Sequence, residues 1–287
     1  MNYRFKHDKN IIRFPQGFTE EDRGLKSCCD PFLVLASETS NNSWENDLTG
    51  VYIKASDPGD IVEFKITNCD FPTPLDNLGE VGIFPQDDLA VGFIYDWKQY
   101  LLTYGAGLYT ISVEFTISGV TGGYMIGQYL LKPFSIYNAS GTVRVKALYN
   151  SFYELQLVDF TNSNFVDTVR FEGFFGKRQP KTDVKNYITK GRKVAKSTRE
   201  NLNEYELESD PVGICITRKL LDHFVNEDSL FISDHNKYNH DYLLFDIPVV
   251  LEETSELEYK QKNRWAQIKA TFGQRDKLDK SYYNNEQ

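Results

Sequence analysis

The residue types that bind metal ions are concentrated in one stretch near the C-terminal end, SDHNKYNHD. It contains Asp234, His235, His240 and Asp241. Imidazole and carboxylate groups could hold zinc or a similar ion here if the loop folded back on itself, which would support a hydrolase. The histidines lack the i, i+4 spacing of a metalloprotease helix, and Asp and Asn commonly form turns through their side chains. We therefore predict a strand-terminating Asx-type turn and keep a metal site at Asp234, His235 and His240 as the weaker alternative.

Other catalytic patterns are missing from the sequence. It contains neither the GxSxG turn of serine hydrolases nor an HExxH helix, and its glycine pairs do not open a helix after a parallel strand. Asp87 and Asp88 are adjacent carboxylates, which loops usually expose to water. A glycosidase needs two carboxylates that are close in space only, so sequence spacing does not test for one. The residues alone therefore disclose no reaction and predict no cofactor.

One aromatic cluster has the spacing of a carbohydrate-stacking platform. Trp97, Tyr100 and Tyr104 occur within FIYDWKQYLLTYGAG, which we predict returns the chain to the sheet. Aromatic residues beside a core strand more often pack in the core than bind sugar. Core packing is favoured, and glycan contact through these three residues, in a carbohydrate- or receptor-binding β-sandwich module, is the alternative.

The elements that position these residues are mainly strands. In GLYTISVEFTISG (107–119) apolar and polar residues alternate, so one face of the strand is buried and the other is wet. Similar strands bounded by Gly, Asn, Ser or Pro follow to residue 175. PVGICITRKLLDHFV places its apolar residues on a helical stripe. The predicted fold class is mainly β: an antiparallel β-sandwich or barrel domain plus a smaller β-rich domain with one helix.

Changes in composition suggest how the chain is divided. We predict an N-terminal arm at 1–30, the β-sandwich domain at 31–176, a basic hairpin or linker at 177–203, a small α+β domain at 204–280 and a loose tail at 281–287. The last strand of the small domain is expected to supply four core residues, Trp265, Ile268, Ala270 and Phe272.

The segment 69–89 is rich in Pro and Gly, which makes a long regular element improbable there. Loops of this length in a compact domain usually bind something or cover something. We predict that its apolar residues fold it down on the sheet, and contact with a neighbouring subunit is the alternative. These apolar residues are Phe71, Leu75, Leu78 and Phe84.

The composition is that of a folded protein. The chain has 287 residues, 40% of them hydrophobic and 14% aromatic, which suffices for a sizeable core. No run approaches the roughly 20 apolar residues that span a bilayer, and the charged N-terminus lacks the apolar segment of a secretion signal. We expect a protein that is made in the cytoplasm. The four cysteines lack zinc-site spacing, and we predict buried thiols rather than a disulfide framework.

Charge is distributed unevenly along the chain. Residues 177–199 hold nine Lys or Arg and one Asp, a net of +8, whereas the whole chain is −9 and the remainder therefore −17. We predict that this exposed segment docks on the acidic surface of a neighbouring subunit, with phosphate contact to nucleic acid as the alternative. The predicted interaction residues are Lys177, Arg178, Lys181, Lys185, Lys190, Arg192, Lys193, Lys196 and Arg199.

Five sequence segments in the second half of the chain are LLKPFSIYNASGTVRV, VDTVRFEGFFG, ICITRKLLDHFVNEDSLFISDHN, DIPVVLEET and IKATFGQRDK. In this order, they resemble segments of virion structural proteins of tailed bacteriophages. More narrowly, they are similar to neck, tail and baseplate components of phages that infect Bacteroidetes, including the crAss-like group. The resemblance covers residues 100 to 280.

The resemblance implies a non-enzymatic protein of β-domains that assembles into a ring around the tail axis, with six-fold or twelve-fold symmetry. The implied partners are other copies of the chain and the neighbouring tail, neck or portal proteins, with contact to packaged DNA as a subsidiary prediction. The implied location is the virion tail or neck, after assembly in the host cytoplasm. No membrane span is expected.

Overall fold

The computed structural model describes most of the chain from residue 31 onwards and two short strands before it. The described residues are 2–4, 11–13, 31–54, 61–70, 73–82, 84, 90–117, 120–153, 158–188, 194–226, 228–236, 244–254, 258–259 and 265–274. Strands dominate these residues, and six of them close an antiparallel barrel. The predicted fold class, mainly β with a barrel or sandwich, is therefore confirmed.

Among the described residues before residue 140, the structure has nine strands and two helices. They are β1 (Asn2–Arg4), β2 (Ile11–Arg13), β3 (Phe32–Ala36), β4 (Leu48–Lys54), β5 (Ile61–Asn68), β6 (Gly79–Gly82), β7 (Ala90–Asp96), α1 (Trp97–Tyr104), β8 (Gly107–Ile117), β9 (Val120–Pro133) and α2 (Ile136–Ala139).

After residue 140, the part of the chain that the structure describes has eleven strands and one helix. They are β10 (Thr142–Tyr149), β11 (Phe152–Tyr153), β12 (Val158–Asp159), β13 (Phe165–Ile188), β14 (Val194–Ser209), β15 (Val212–Gly213), α3 (Ile214–Asn226), β16 (Ser229–Asp234), β17 (Leu244–Thr254), β18 (Glu258–Tyr259), β19 (Trp265–Gln267) and β20 (Lys269–Gln274). The predicted helix at 211–225 corresponds to α3.

Two sheets pack around a shared core, and together we call them the sheet layer. One has the strand order β3-β9-β8-β5 and the other β4-β7-β6. The alternation predicted for β8 is present, since Tyr109, Ile111, Val113 and Phe115 are buried while Glu114 is exposed. The apolar faces of both sheets share one core with the buried side of α1.

Residues 73–78 of the segment 69–89 cover the edge of the first sheet. Leu75 N donates to Ile66 O on β5 at 2.8 Å, and Asn77 Nδ2 donates to Phe64 O on the same strand at 2.8 Å. Leu75 and Leu78 pack on the core of this layer, and Phe84 is buried in the neighbouring core. These contacts confirm the prediction for these three residues and satisfy carbonyls at an open strand edge. Phe71 lies outside the described residues.

The segment FIYDWKQYLLTYGAG does not simply return the chain to the sheet. Strand β7 ends at Asp96, whose carboxylate accepts a hydrogen bond from Lys98 N at 3.0 Å and caps the helix α1. The predicted return to the sheet is made by β7, and the helix α1 that follows it was not predicted. A short polar side chain before WKQYLLTY supplies an N-cap, and the local hydrogen bonds of one helix replace those of a strand.

The barrel has the strand order β10-β13-β14-β20-β17-β16, and every neighbouring pair in it is antiparallel. Its apolar residues form one cluster with two residues of α3, Leu220 and Phe224. The barrel takes strands from both sides of segment 177–203, which the proposed domain boundaries did not anticipate. The reason is that β13 and β14 form one long hairpin, and the residues of this hairpin before 177 and after 203 belong to the barrel wall.

Three side chains differ from the expected burial or pairing. In the last strands Ile268, Ala270 and Phe272 are buried as predicted, but Trp265 is 41% exposed and does not belong to the core. Cys69 is a free, exposed thiol. Cys215 is disulfide-bonded, so the expectation of buried thiols was wrong for both cysteines.

Among the described residues, no helix has the length and apolar character needed to cross a membrane.

Candidate functional site

A buried carboxylate joins the two-sheet layer to the barrel. Asp47 lies in the connection between β3 and β4 and is 1% exposed. Its Oδ2 accepts hydrogen bonds from Leu35 N at 2.8 Å and Arg170 Nε at 2.9 Å. Its Oδ1 accepts hydrogen bonds from Arg144 Nε at 2.8 Å and Arg170 Nη2 at 2.9 Å. One side chain from the layer is thus held by two from the barrel, in part through a bidentate pair.

The register of the barrel brings the two arginines together. Arg144 on β10 pairs directly with Arg170 on β13, so both side chains leave the same face of the wall. Arg144 also donates from Nη1 to Asp246 Oδ1 at 3.0 Å and from Nη2 to Asn46 O at 3.1 Å. Two carboxylates therefore balance two guanidinium groups, and we call Asp47, Arg144, Arg170 and Asp246 the junction cluster.

The charged groups of the junction cluster lower the pKa values of its two carboxyl groups. Burial by itself opposes ionisation of Asp47, but Arg170, Arg144 and the amide of Leu35 outweigh it and hold the pKa of the carboxyl below its usual value. Burial likewise opposes ionisation of Asp246, and Arg144 with other partners lowers its pKa overall. Both carboxylates are ionised at neutral pH and committed to the arginines.

A second buried cluster lies on the other face of the same strand. Asp167 is three residues before Arg170, so strand alternation turns its side chain the opposite way. Lys219 Nζ donates to its Oδ1 at 2.9 Å, and His223 Nε2 lies 3.2 Å from its Oδ2. The other ring nitrogen of the histidine, Nδ1, is 2.5 Å from Tyr149 Oη. Burial opposes ionisation of Asp167, but Lys219 and His223 lower its pKa overall.

The second cluster also holds the layer on the barrel. Gly50 N of β4 donates to Asp167 Oδ1 at 3.1 Å. A Cβ atom at Gly50 would lie 2.5 Å from Val166 O, so β4 can approach β13 this closely only with glycine at this position. Beside it, Thr168 Oγ1 accepts from Leu48 N at 3.0 Å and donates to Leu48 O at 2.6 Å.

These clusters contain acid, base and cationic groups, but their geometry supports a structural role. Lys219 is 1% exposed, and Asp167 and His223 are 0% exposed, so a substrate would have to displace the layer to reach them. Buried charges that are paired with each other in this way contribute to a unique arrangement of the fold. The arrangement fixes the layer relative to the barrel as one body.

The metal alternative receives no support from the described residues. Asp234 Oδ1 accepts from Asn236 N at 2.6 Å, which confirms the predicted Asx-type turn at the end of β16. His235 is turned towards Arg170, with its Nδ1 3.4 Å from Arg170 Nη1. His240 and Asp241 lie outside the described residues. Within the described part of the chain, no three His, Cys, Asp or Glu side chains are grouped to bind a metal ion.

Asp234 and His235 have pKa values that are displaced in opposite directions. Burial raises the pKa of Asp234 to about 6, although the amides of Asn236 and Phe175 partly oppose the shift. Burial and the nearby Arg170 lower the pKa of His235 to about 3. His235 lies in an aromatic environment that explains the loss of hydration, with the rings of Trp44, Phe134 and Phe245 around it.

We expect these two neighbours to offset each other in acid. The unfolded chain binds a proton at His235 below about pH 6.5, where the folded protein does not, so this residue lowers the free energy of unfolding as pH falls. The folded protein protonates Asp234 first, below about pH 6, so this residue raises the free energy of unfolding until about pH 3.8. His235→Asn removes the first of these two effects. The difference in free energy of unfolding between this variant and the wild type should therefore favour the variant more at about pH 4.5 than at pH 7, by roughly 1 to 2 kcal/mol.

Urea unfolding at these two pH values measures the effect. Asp234→Asn is the matched variant and should show the reverse trend, with stability that falls more steeply in acid than in the wild type. Identical pH profiles for His235→Asn and the wild type would contradict the assigned titration.

The residues predicted for glycan contact belong to the core. Trp97 and Tyr100 are 0% exposed, and Trp97 Nε1 donates to Thr49 Oγ1 at 2.8 Å. Tyr100 Oη accepts from Leu78 N at 2.6 Å, and Tyr104 packs partly buried against the same core. Stacking on a sugar needs an exposed ring face, so the burial of Trp97 and Tyr100 contradicts glycan contact for these two residues and agrees with the favoured prediction of core packing.

The basic segment forms a hairpin, as predicted. The outer parts of β13 and β14 pair from Gln179 with Glu204 to Ile188 with Val194, and we call 177–203 the arm. Six of the predicted interaction residues lie on its strands: Lys177, Arg178, Lys181, Lys185, Lys196 and Arg199. The other three, Lys190, Arg192 and Lys193, lie outside the described residues.

Sequence reasoning missed both buried clusters. Their traces in the sequence are charged residues within apolar strands, at Arg144 in TVRVKALY and at Asp167 and Arg170 in VDTVRFEGFF. Lys219 and His223 are four residues apart and share one face of α3, which is buried there. Polar residues in buried positions indicate partners, but Asp47 is about a hundred residues from Arg144 and only the fold brings them together.

The chain matches no protein-family model and no curated protein. The function is therefore argued from the geometry of the junction cluster and the arm.

Proposed function

We propose that this protein is a non-enzymatic structural component of a phage particle, which assembles with copies of itself into a ring in the tail or neck. The observation that carries the proposal is the arm. It is a long paired ribbon of strongly positive sequence on an otherwise acidic protein. The resemblance of residues 100 to 280 to phage virion proteins is the reason for proposing a phage particle.

The arm extends beyond the sheet that anchors it. Strand β13 pairs with β10 only over Phe165–Glu172, and β14 pairs with β20 only over Glu204–Glu208. Among the described residues, the outer strands of the arm pair only with each other. Ten residues of strand from Gln179 to Ile188 correspond to about 30 Å at the usual rise.

A ribbon of this kind favours a partner. An isolated two-stranded hairpin is marginally stable in water, and its two open edges can pair with another chain. Residues 177–199, which lie within the arm, have a net charge of +8, whereas the rest of the chain sums to −17. Another copy of the chain therefore offers a surface of opposite charge, which steers association and sets the register of the contact.

The junction cluster supports the same function. It connects the sheet layer to the barrel of the same chain through buried ion pairs. A subunit joined in this way would keep its two parts together when neighbouring subunits pull on them. The charged residues that could otherwise perform chemistry are used for this connection.

We expect removal of the arm to abolish assembly while the barrel stays folded. In the test variant Pro180–Asn203 is replaced by an Asn-Gly turn that joins Gln179 to Glu204, the pair at which the ribbon begins. The barrel pairing of Glu204–Glu208 with β20 is kept. Sedimentation velocity and electron microscopy of the purified proteins should show rings for the wild type and monomers for the variant.

The control is the circular dichroism spectrum and thermal unfolding of the variant, which should retain the β-barrel. Rings formed equally well without the arm would contradict the assignment of the arm. A wild-type chain that stays monomeric at high concentration, both alone and with the neighbouring particle proteins, would contradict the proposed function as a whole.

A further inference from the structure

We propose that the arm of one copy docks on the outer face of β14, β20 and β17 in a second copy, so that subunits join head to tail. This inference rests on the proposed function and names the surface that receives the arm. We call this surface the acceptor face. It is defined by four residues, Glu204, Glu206, Glu208 and Glu252.

Strand alternation gives β14 an acidic outer side within the barrel. Tyr205 and Leu207 are buried in the barrel core, and the three glutamates that alternate with them face outwards. On the next strand, Lys269 lies opposite Glu208 and bridges it at 3.0 Å. This lysine marks one end of the acidic row, and the row continues from there towards the base of the arm.

A strip without side chains lies between two of the carboxylates. Gly273 on β20 pairs with Glu204 on one side and Val250 on the other. A Cβ atom at Gly273 would be 2.4 Å from Glu252 Oε1, so the carboxylate of exposed Glu252 lies directly over this glycine. The acidic residues of β14 and β17 therefore approach each other across a shallow strip of backbone.

The acceptor face lies in the most acidic part of the chain. Residues 200–258 contain fifteen Asp or Glu and three Lys or Arg, a net of −12, whereas residues 177–199 have a net of +8. Glu204 and Glu206 already have contacts within the chain, so the attraction comes from the summed field of the face rather than from isolated carboxylates. Charge complementarity of this size favours a second copy over nucleic acid as the occupant.

The outer part of the arm leads away from the acceptor face of its own chain. The ribbon begins at the pair Gln179 and Glu204, and the ten residues of strand to Ile188 carry its far end about 30 Å from there. The arm and the acceptor face are also different surfaces of one chain, so a contact between two copies leaves one arm and one acceptor face open. Such a heterologous contact propagates, and it closes into a ring when the rotation between subunits allows.

Two charge-reversal variants test this arrangement. The arm variant is Lys181→Glu, Lys185→Glu, Lys196→Glu, and the acceptor variant is Glu206→Lys, Glu252→Lys. Each alone should lose self-association by at least tenfold in apparent affinity. The control variant Asp70→Lys, Asp76→Lys changes two exposed acids on the sheet layer by the same charge and should assemble like the wild type.

Mixing the two variants distinguishes head-to-tail contact from other arrangements. The intact arm of the acceptor variant matches the intact acceptor face of the arm variant, and the reversed arm and the reversed face of the two variants are also of opposite charge. The mixture should therefore form assemblies in which the two variants alternate, although neither variant assembles alone. A single chain that carries both sets of reversals should assemble again. Sedimentation velocity separates these species by mass.

The outcomes separate this inference from the proposed function. If the arm variant is monomeric but the acceptor variant still forms rings, the acceptor face is wrong while arm-dependent assembly stands. If both variants assemble like the wild type and the arm variant instead loses binding to linear DNA at low salt, the arm contacts nucleic acid and the docking proposal is overturned. If the wild type forms no assembly, the proposed function fails together with the inference.

Discussion

Asp47→Ala is expected to lower the free energy of unfolding by about 3 to 5 kcal/mol, one of the two largest single-residue effects that we predict for this protein. The substitution leaves the guanidinium groups of Arg144 and Arg170 in a dry interior, where they are 1% and 0% exposed at the side chain, without the carboxylate that balances them. It also leaves Leu35 N without its hydrogen-bond acceptor. Urea unfolding followed by tryptophan fluorescence and circular dichroism measures the loss.

Asp47→Asn removes the negative charge at this position and keeps nearly the same side-chain shape. The amide keeps the volume of the side chain but cannot balance two arginines, so we expect most of the loss to persist. The matched control is Glu114→Gln, which removes a 2.6 Å ion pair with Lys65 at the surface, where the side chains are 58% and 28% exposed. Water screens that pair, and we expect no measurable change. Equal effects of the two substitutions would contradict the role of the junction cluster.

Trp97→Ala is expected to lower the free energy of unfolding by about 3 to 5 kcal/mol, because it empties a large volume in the core of the sheet layer. The ring is 0% exposed and packs against four tyrosines, and its Nε1 donates to Thr49. The cavity that remains is lined by rings that cannot close it without shifting the strands. Thermal and urea unfolding measure the loss.

Trp265→Ala is the matched control. Trp265 is 41% exposed on a short strand, so its removal should cost much less than removal of the buried tryptophan. If Trp97 instead bound sugar at a surface, its substitution would abolish glycan binding with little effect on stability. That pattern would contradict the burial described above.

The strand pattern could be predicted because it is a local property. Alternation in GLYTISVEFTISG follows from the opposite directions of successive side chains, and the structure has β8 at this position with the expected residues buried. The helix at 211–225 was also visible, since its apolar stripe has a helical period. The short helix α1 was missed because one aspartate N-cap in a strongly aromatic segment is a weak signal.

The site could be predicted only in part. The composition of 177–199 indicated the arm, because a run of positive charge is readable without knowing what surrounds it. The junction cluster was not predicted, because an arginine in a strand looks the same whether it faces water or a buried carboxylate. The suggested aromatic platform shows the converse, since Trp97 and Tyr100 were found by type and spacing although neither can reach a ligand.

The sequence alone determined the β-rich class, the helix α3 and the separation of positive and negative charge, because these depend on neighbours within about ten residues. Tertiary structure decided that β10 and β13 belong to the same barrel as β16, β17 and β20, and that Asp47 meets Arg144 and Arg170. The physical reason is that pairing register and burial depend on contacts between distant segments, and the partner of a charged side chain is set by where the strands close.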